Sequence, residues 1–433
     1  MQSSGYTVLD RPLLRREVRP GGGIMKVKAW LLVVLLVAFS VCVVTGAVHA
    51  QGVKTLKVGT VLPLNFGLGV DTKKALEMLV GQFNDAGGIT IKGQTYKVQL
   101  IVYDDKWTAE AGRAALERLV YQDKVQYIIS IISSPTMVSG LNMIEENKIL
   151  NLFSGTSLRA MNPKLRYTFG TSTTRTSLMP LWAVAKKIFP NAKTTVFISP
   201  NDEGGKARAA EEKQVAEANG IKVLDTLFHP RDAVDFTALA VKAKSLNPDI
   251  MDYPGADSGT QFGLELKAVH AAGFRGNAHL SAIAPKLDEV MQVASIEALE
   301  GLLCNIKPTE LPNPPPLAKK FKDDFTRTYG KWSEAAFPWI PAWPALLEAF
   351  KKADSVDPTT VSDYIASKGL FWDRIDGPAR MVRRPDLGNT KYCDSVSEAL
   401  YGQIKQGKIV HVATMSRDEV VATCEKVFGP GWK

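Results

Sequence analysis

Two hydroxyl-rich stretches, Ser133-Ser134-Pro135-Thr136 and Ser154-Gly155-Thr156-Ser157, lie one helix length apart, and each follows an apolar run, at 127–132 and 149–153. Hydroxyls and free backbone N–H groups gathered in this way suit a carboxylate or another small anion-like oxygen. The plainer reading is that Ser134 caps the helix that follows, with Pro135 at its first position. Both roles coexist, because backbone N–H groups stay free at that end of a helix.

Read as strand, turn, helix, strand and turn, residues 127–157 form a βαβ unit in which both turns leave the carboxyl ends of strands, the edge where open parallel sheets bind ligands. The flanking sequence extends the pattern. A strand at 56–62 is followed by a helix from near Asp71, whose apolar face is Leu76, Leu79, Val80 and Phe83 and which Gly87-Gly88 ends; a strand at 96–103 and a helix at 108–122 come next. A second series follows a polar stretch, Thr171-Ser172-Thr173-Thr174: helix 175–189, strand 194–198, helix 205–219, strand 221–228, a helix capped by Asp235, strand 249–253, helix 259–272 and strand 277–281. The segment 299–306 is expected to cross back, supplying helices near 315–329 and 338–352. From Phe371 the pattern turns to short strands, with Gln406-Gly407 a hairpin turn between 399–404 and 408–414. The fold class is therefore α/β, two doubly wound parallel-sheet lobes joined by multiple crossovers. The expected divisions are lobe 1 at 54–172, lobe 2 at 173–300, a return to lobe 1 at 301–370, and a C-terminal segment at 371–433 belonging mainly to lobe 2.

At 433 residues the chain exceeds what one hydrophobic core serves. Six of its 53 basic and two of its 44 acidic residues precede residue 51, so the rest is only mildly basic and gives no reason to expect nucleic acid. Met25 begins a secretory pattern: Lys26 and Lys28, an apolar run at 29–44, then Ala47-Val48-His49-Ala50. Residues 25–50 are expected to be a signal peptide cleaved after Ala50, residues 1–24 an extension before the true start, and the protein periplasmic. Val41 before Cys42 argues against lipid attachment. Of the remaining cysteines, Cys304, Cys393 and Cys424, the last two share the C-terminal segment and are the expected disulfide pair in an oxidising compartment. The five histidines form no ligand pattern, so neither metal nor cofactor is expected.

Signs of catalysis are poor. No nucleophile elbow, P-loop or H-E-x-x-H occurs. Gly67-Leu68-Gly69-Val70-Asp71-Thr72 imitates a dinucleotide fingerprint but lacks its third glycine. Asp104 and Asp105 are adjacent on a strand and point to opposite faces, which favours solvated or capping roles over acid–base work.

The opening Lys57-Val58-Gly59-Thr60-Val61-Leu62-Pro63-Leu64, the helix end Asn84-Asp85-Ala86-Gly87-Gly88-Ile89, the strand end Tyr103-Asp104-Asp105, the turn Ser133-Ser134-Pro135-Thr136 and the helix start Asp235-Phe236-Thr237-Ala238-Leu239 together resemble the branched-chain amino-acid-binding family of ABC-transporter solute-binding proteins, across roughly residues 54–420. The resemblance implies the type I periplasmic binding fold, whose two lobes close over a ligand by hinge motion. It also implies a monomeric, non-enzymatic receptor that hands a small molecule to membrane permease subunits. A sensing receptor of the same fold and an exported hydrolase are the alternatives.

By the same resemblance Ser134 holds the ligand's carboxylate, Ser133 packs beside it, Thr156 and Ser157 complete the carboxylate site, and Phe66 lies near the aromatic position of the first loop. The second lobe departs from the family pattern. Asp202-Glu203-Gly204-Gly205 stands where amino-acid binders carry a tyrosine, Ala256 or Asp257 where they carry another, and Ala284 near the acid that holds an ammonium. Glu203 or Asp257 is the candidate replacement acid. Trp339 and Trp343 are four residues apart, on one helical face; core packing is expected for one of them, and Trp339 is the candidate to line the cleft. A buried ammonium without an acid is costly, so the expected ligand is an organic or aromatic acid ahead of a branched-chain amino acid.

Overall fold

The computed structural model describes residues 52–432 apart from 173–175, 177, 257, 284–286 and 376. The leader at 25–50, the extension at 1–24, Asp257 and Ala284 lie outside the described residues. Among those described, no helix is long and apolar enough to cross a membrane.

The first lobe is a six-stranded sheet ordered β2-β3-β1-β4-β5-β6, where β1 is Lys54–Leu62, β2 Ile89–Ile91, β3 Gln94–Asp104, β4 Tyr127–Ile129, β5 Leu150–Phe153 and β6 Thr168–Gly170. All neighbours are parallel except β2, which pairs antiparallel with β3. Helices α1 (Gly67–Asp85), α2 (Ala109–Glu117) and α3 (Ser134–Glu146) cover its faces. That cover explains why β1 reads as an apolar run, with Val58, Val61 and Leu62 fully buried. Helix α1 starts a turn before Asp71. A Cβ on Gly69 would stand 2.1 Å from the carbonyl oxygen of Pro63, so glycine is required where the helix meets the strand end. Close backbone packing thus accounts for the glycine that imitates a nucleotide motif.

The second lobe begins with α4 (Leu181–Ile188), β7 (Thr194–Pro200), α5 (Glu203–Ala218), β8 (Lys222–His229), α6 (Thr237–Ser245), β9 (Ile250–Asp252), α7 (Gly259–Ala271), β10 (Asn277–Ile283) and β11 (Leu303–Ile306). Strand β11 is parallel to β10, so the return at 301 expected from sequence comes one strand later. Its apolar residues fill a place in the second sheet. Helices α8 (Pro316–Tyr329), α9 (Ala342–Ala353) and α10 (Pro358–Lys368) then rejoin the first lobe, where Phe321, Phe325, Trp343, Leu346, Phe350 and Ile365 share a core with Leu56, Val58 and Tyr127.

The C-terminal segment divides. Strands β12 (Phe371–Arg374), β13 (Gly377–Arg383) and β14 (Tyr392–Ser397) form an antiparallel sheet of their own. Trp372 and Met381 pack into the first lobe's core and Val382 and Val396 into the second's, so this sheet belongs to both. Hairpin β15 (Ala399–Lys405) and β16 (Lys408–Met415) turns at Gln406 and Gly407, both left-handed, and completes a seven-stranded sheet ordered β16-β15-β11-β10-β9-β7-β8. Helix α11 (Arg417–Phe428) closes over it. Beside α11, buried Arg384 meets Glu211 of α5 (3.1 Å), Asp386 (2.7 Å) and Asp394 of β14 (3.2 Å), and its guanidinium lies 4.5 Å from the ring of Trp432.

The expected Cys393–Cys424 disulfide is corrected. Both are free thiols, as is Cys304. Cys393 is buried among Phe153, Met161 and Ile149 on the first-lobe side, whereas Cys424 is buried with Trp182, Tyr401 and Trp432 in the second. A shared segment of sequence does not put them in one core.

Candidate functional site

Strand β4 ends early because Ser130 takes a left-handed conformation (φ 59°), and the chain beyond it stays bonded to its neighbour: Ser130 N–H donates to Leu152 O (2.9 Å) and Ser154 N–H to Ile131 O (3.0 Å). These bonds set the two hydroxyl-rich turns side by side at the sheet's carboxyl edge. Ser133 is the N-cap of α3, accepting from Thr136 N–H at 3.4 Å, with Pro135 in the first turn. Capping therefore falls to Ser133. The hydroxyl of Ser134 is turned instead to the second loop, where it accepts from the N–H of Thr156 (3.1 Å) and of Ser157 (3.2 Å) and lies 3.4 Å from Thr156 Oγ1. Four of the residues expected to form a carboxylate site thus share one small volume.

A buried carboxylate supports this arrangement from below. Asp105 Oδ2 accepts from the hydroxyl of Thr136 in the first turn of α3 (2.8 Å), and its Oδ1 from the N–H of Trp107 (2.9 Å). Burial pushes its carboxyl up to about 6, against the opposing effect of those two hydrogen bonds. Trp107 is thereby fixed against Phe66, edge to face with centroids 5.3 Å apart. Trp339, 3% exposed, packs under them with Leu62, Leu68 and Ile132. Phe66 is half-buried at the rim, so the indole expected to line the cleft forms its floor instead. Trp343 is a core residue, stacked edge to face on Phe83 at 5.3 Å.

The second lobe meets these turns with the N-terminus of α5. Asp202 caps that helix, accepting from Gly205 N–H at 2.8 Å. A Cβ on Gly204 would stand 3.2 Å from Ser134 Oγ and 3.3 Å from Thr156 Oγ1, so the lobes touch through the absence of a side chain. Thr156 Oγ1 lies 3.5 Å from Gly204 O, and the hydroxyl of Ser157 donates to Glu203 Oε1 at 2.7 Å. Arg231, after β8, donates to Asp202 (2.7 Å) and to Gly255 O (3.0 Å), and its guanidinium lies over Trp107 of the first lobe at 4.6 Å. Burial alone would raise Asp202. The charge of Arg231, its hydrogen bond and the N–H groups of Gly205 and Gly204 prevail and hold the carboxyl below its usual range.

The structure therefore brings Ser133, Ser134, Thr156, Ser157 and Glu203 together and sets Phe66 and Trp339 beside them. Trp107 and Arg231 are not singled out by the sequence reading, and Asp202 enters it only as part of its loop, without a role. Each follows the carboxyl end of a parallel strand (β3, β7 and β8), and that position alone would have flagged them. A separate cavity of about 300 Å³, lined among others by Asp71, Lys74, Asp288, Lys331, Trp332 and Glu334, includes none of the hydroxyl turns, and both of its lysines are paired within it: Lys74 with Asp71 (3.6 Å) and Lys331 with Asp288 (3.2 Å).

Solved structures share this architecture. The chain is similar to a periplasmic binding protein from Burkholderia mallei (TM-score 0.70, 19% identity, covering 88% of this chain and 100% of that one). It is also similar to a solute binding protein of an ABC transporter from Rhodopseudomonas palustris in complex with 3,4-dihydroxybenzoic acid (0.67, 18%, 84% and 98%) and to a leucine binding protein from Thermotoga maritima (0.66, 22%, 84% and 99%). Residues 56–391 match the family model described as periplasmic binding protein, and the chain belongs to that family.

Proposed function

We propose that this protein is the extracytoplasmic receptor of an ABC importer, exported by the leader at 25–50, which captures a small carboxylate-bearing ligand between its lobes by hinge closure and delivers it to permease subunits without chemical conversion. The ligand is an organic or aromatic acid ahead of a branched-chain amino acid. The observation that carries this reading is the convergence of Ser134 with the N–H groups of Thr156 and Ser157 at the first lobe's edge, facing a helix N-terminus of the second. The hydroxyls of Ser134 and Thr156, the former held by the N–H groups of Thr156 and Ser157, lie beside two helix N-termini and favour an anion, and Phe66 and Trp107 favour apolar or aromatic bulk next to it. The relative that holds 3,4-dihydroxybenzoic acid supports the aromatic branch, and the leucine binding protein supports the amino-acid branch.

Calorimetry against aromatic carboxylates, aliphatic acids, amides and branched-chain amino acids tests the proposal. Ser134→Ala is expected to weaken the bound acid by about 1–3 kcal/mol, the cost of removing a hydrogen bond to a charged group. Micromolar binding of leucine, with no response to acids lacking an amine, would sink the ligand class.

A further inference from the structure

Ser157 serves the site twice. Its N–H donates to Ser134 Oγ at 3.2 Å, joining the two turns of the first lobe, and its hydroxyl donates to Glu203 Oε1 at 2.7 Å, across the interlobe boundary. A carboxylate of the protein thus stands one residue's width from the donors assigned to the ligand's carboxylate. It is held there by its position in the first turn of α5, where the helix end favours negative charge, and by Gly204, which lets the backbone of α5 close onto Ser134 and Thr156.

Resting on the receptor reading above, we propose that Glu203 determines specificity: the site selects acids bearing a hydroxyl on the carbon next to the carboxylate over the same acids without it. A bare carboxylate at the turn puts two acceptor-only anions side by side. A 2-hydroxyl between them donates to Glu203 as the hydroxyl of Ser157 does now, and relieves the opposition. An α-ammonium would approach the same oxygen but brings three donors. With Oε1 already accepting from Ser157, one added hydroxyl donor is satisfied by this carboxylate while leaving no further N–H to place, which points to the hydroxy acid. Selection by repelling the wrong ligand as well as holding the right one is a general route to specificity.

The test is calorimetry on the whole chain with 4-methylpentanoate against 2-hydroxy-4-methylpentanoate, phenylacetate against mandelate, and leucine. The hydroxy member of each pair is expected to bind about tenfold tighter than its partner, a modest ratio for a hydroxyl read by one half-buried acceptor. Glu203→Gln, which keeps shape and removes charge, should bring that ratio to about threefold or less, chiefly by tightening the bare acid. The unliganded melting temperature checks that the variant folds. If it does not, Ser157→Ala, which releases the carboxylate from its anchor, should lower the same ratio. Equal affinity within both pairs in the wild type, with Ser134→Ala still weakening both, overturns the role of Glu203 and leaves the receptor reading standing. No binding by any of the five probes overturns the receptor reading for small acids and this inference with it.

Discussion

The two lobes present opposite chemistries at equivalent edges. The first offers hydroxyls, backbone N–H groups and indoles, with Asp105 as its buried acid. The second offers polar groups that meet one another inside the fold: Asp202 with Arg231, Arg208 with Glu212 at 3.5 Å, and the imidazole of His229 with Glu265 at 3.1 Å. The construction beneath is nonetheless the same. In each lobe a glycine in the first turn of a helix packs on the carbonyl of a proline at the end of a strand, Gly69 on Pro63 and Gly205 on Pro200, and in both a Cβ would stand 2.1 Å from the oxygen. Backbone packing sets the frame of both edges, and the loop side chains that it leaves exposed set the chemistry of each.

If the frame is shared, breaking it should cost the same on either side. Gly69→Ala and Gly205→Ala are each expected to destabilise by about 3 kcal/mol, the upper end for forced overpacking, because the obstructing atom is backbone and cannot swing aside. Chemical denaturation of the two variants measures this, and a large effect in one lobe with none in the other would break the parallel.

The edges should also respond to acid in opposite directions. Asp105, raised to about 6 by burial, takes up a proton in the folded chain before it does so in the unfolded one, so its contribution makes the fold more stable as pH falls from 6 to 4. Asp202, held low mainly by Arg231 against the effect of burial, does the reverse: its stabilisation is present above the ordinary carboxylate range and is lost as pH falls through its folded value. Asp105→Asn should flatten the gain between pH 6 and 4, a change of about 2–3 kcal/mol. Asp202→Asn should reduce the loss below pH 4. Melting temperatures across pH 3–7 for both variants sharpen the comparison, and parallel pH profiles would contradict it.

The smallest expected effect lies where the edges meet. Trp107→Leu removes the ring beneath Arg231 but keeps apolar bulk, and should lower the preference for the closed state by about 0.5–1 kcal/mol, the scale of an accessible cation–π contact. Small-angle scattering at subsaturating ligand reads it as a larger mean radius, and an unchanged population would remove this contact from the closing surface.

The fold was legible because apolar runs and helical periodicity alternate through most of the chain, and the meeting of Ser134, Thr156 and Ser157 was legible because they follow neighbouring strands at one edge of a sheet. What was missed depended on pairing at a distance. Leu303–Ile306 carries the same apolar signal whichever sheet it joins, and only its register against β10 decides. Arg231 reads as a surface cation until its partner, 29 residues earlier in the chain, is brought beside it. Cys393 and Cys424 invited pairing by proximity in sequence, but the chain between them changes cores. Trp339 was placed at the cleft by its position at a crossover into the first lobe, and there its ring is buried with Leu62, Leu68 and Ile132.

The ties of Arg384 also govern when the molecule can take shape during synthesis. The first sheet and its helices α1 to α3 are translated by residue 170, yet α8 to α10, which complete its core, come from 316–368, and the second sheet waits for strands at 399–415. Glu211 lies near the middle of the chain, its partner Arg384 and the ring of Trp432 near its end. A ribosome must therefore finish almost the whole polypeptide before the core shared with α8 to α10 and the core that holds Trp432 can both be completed.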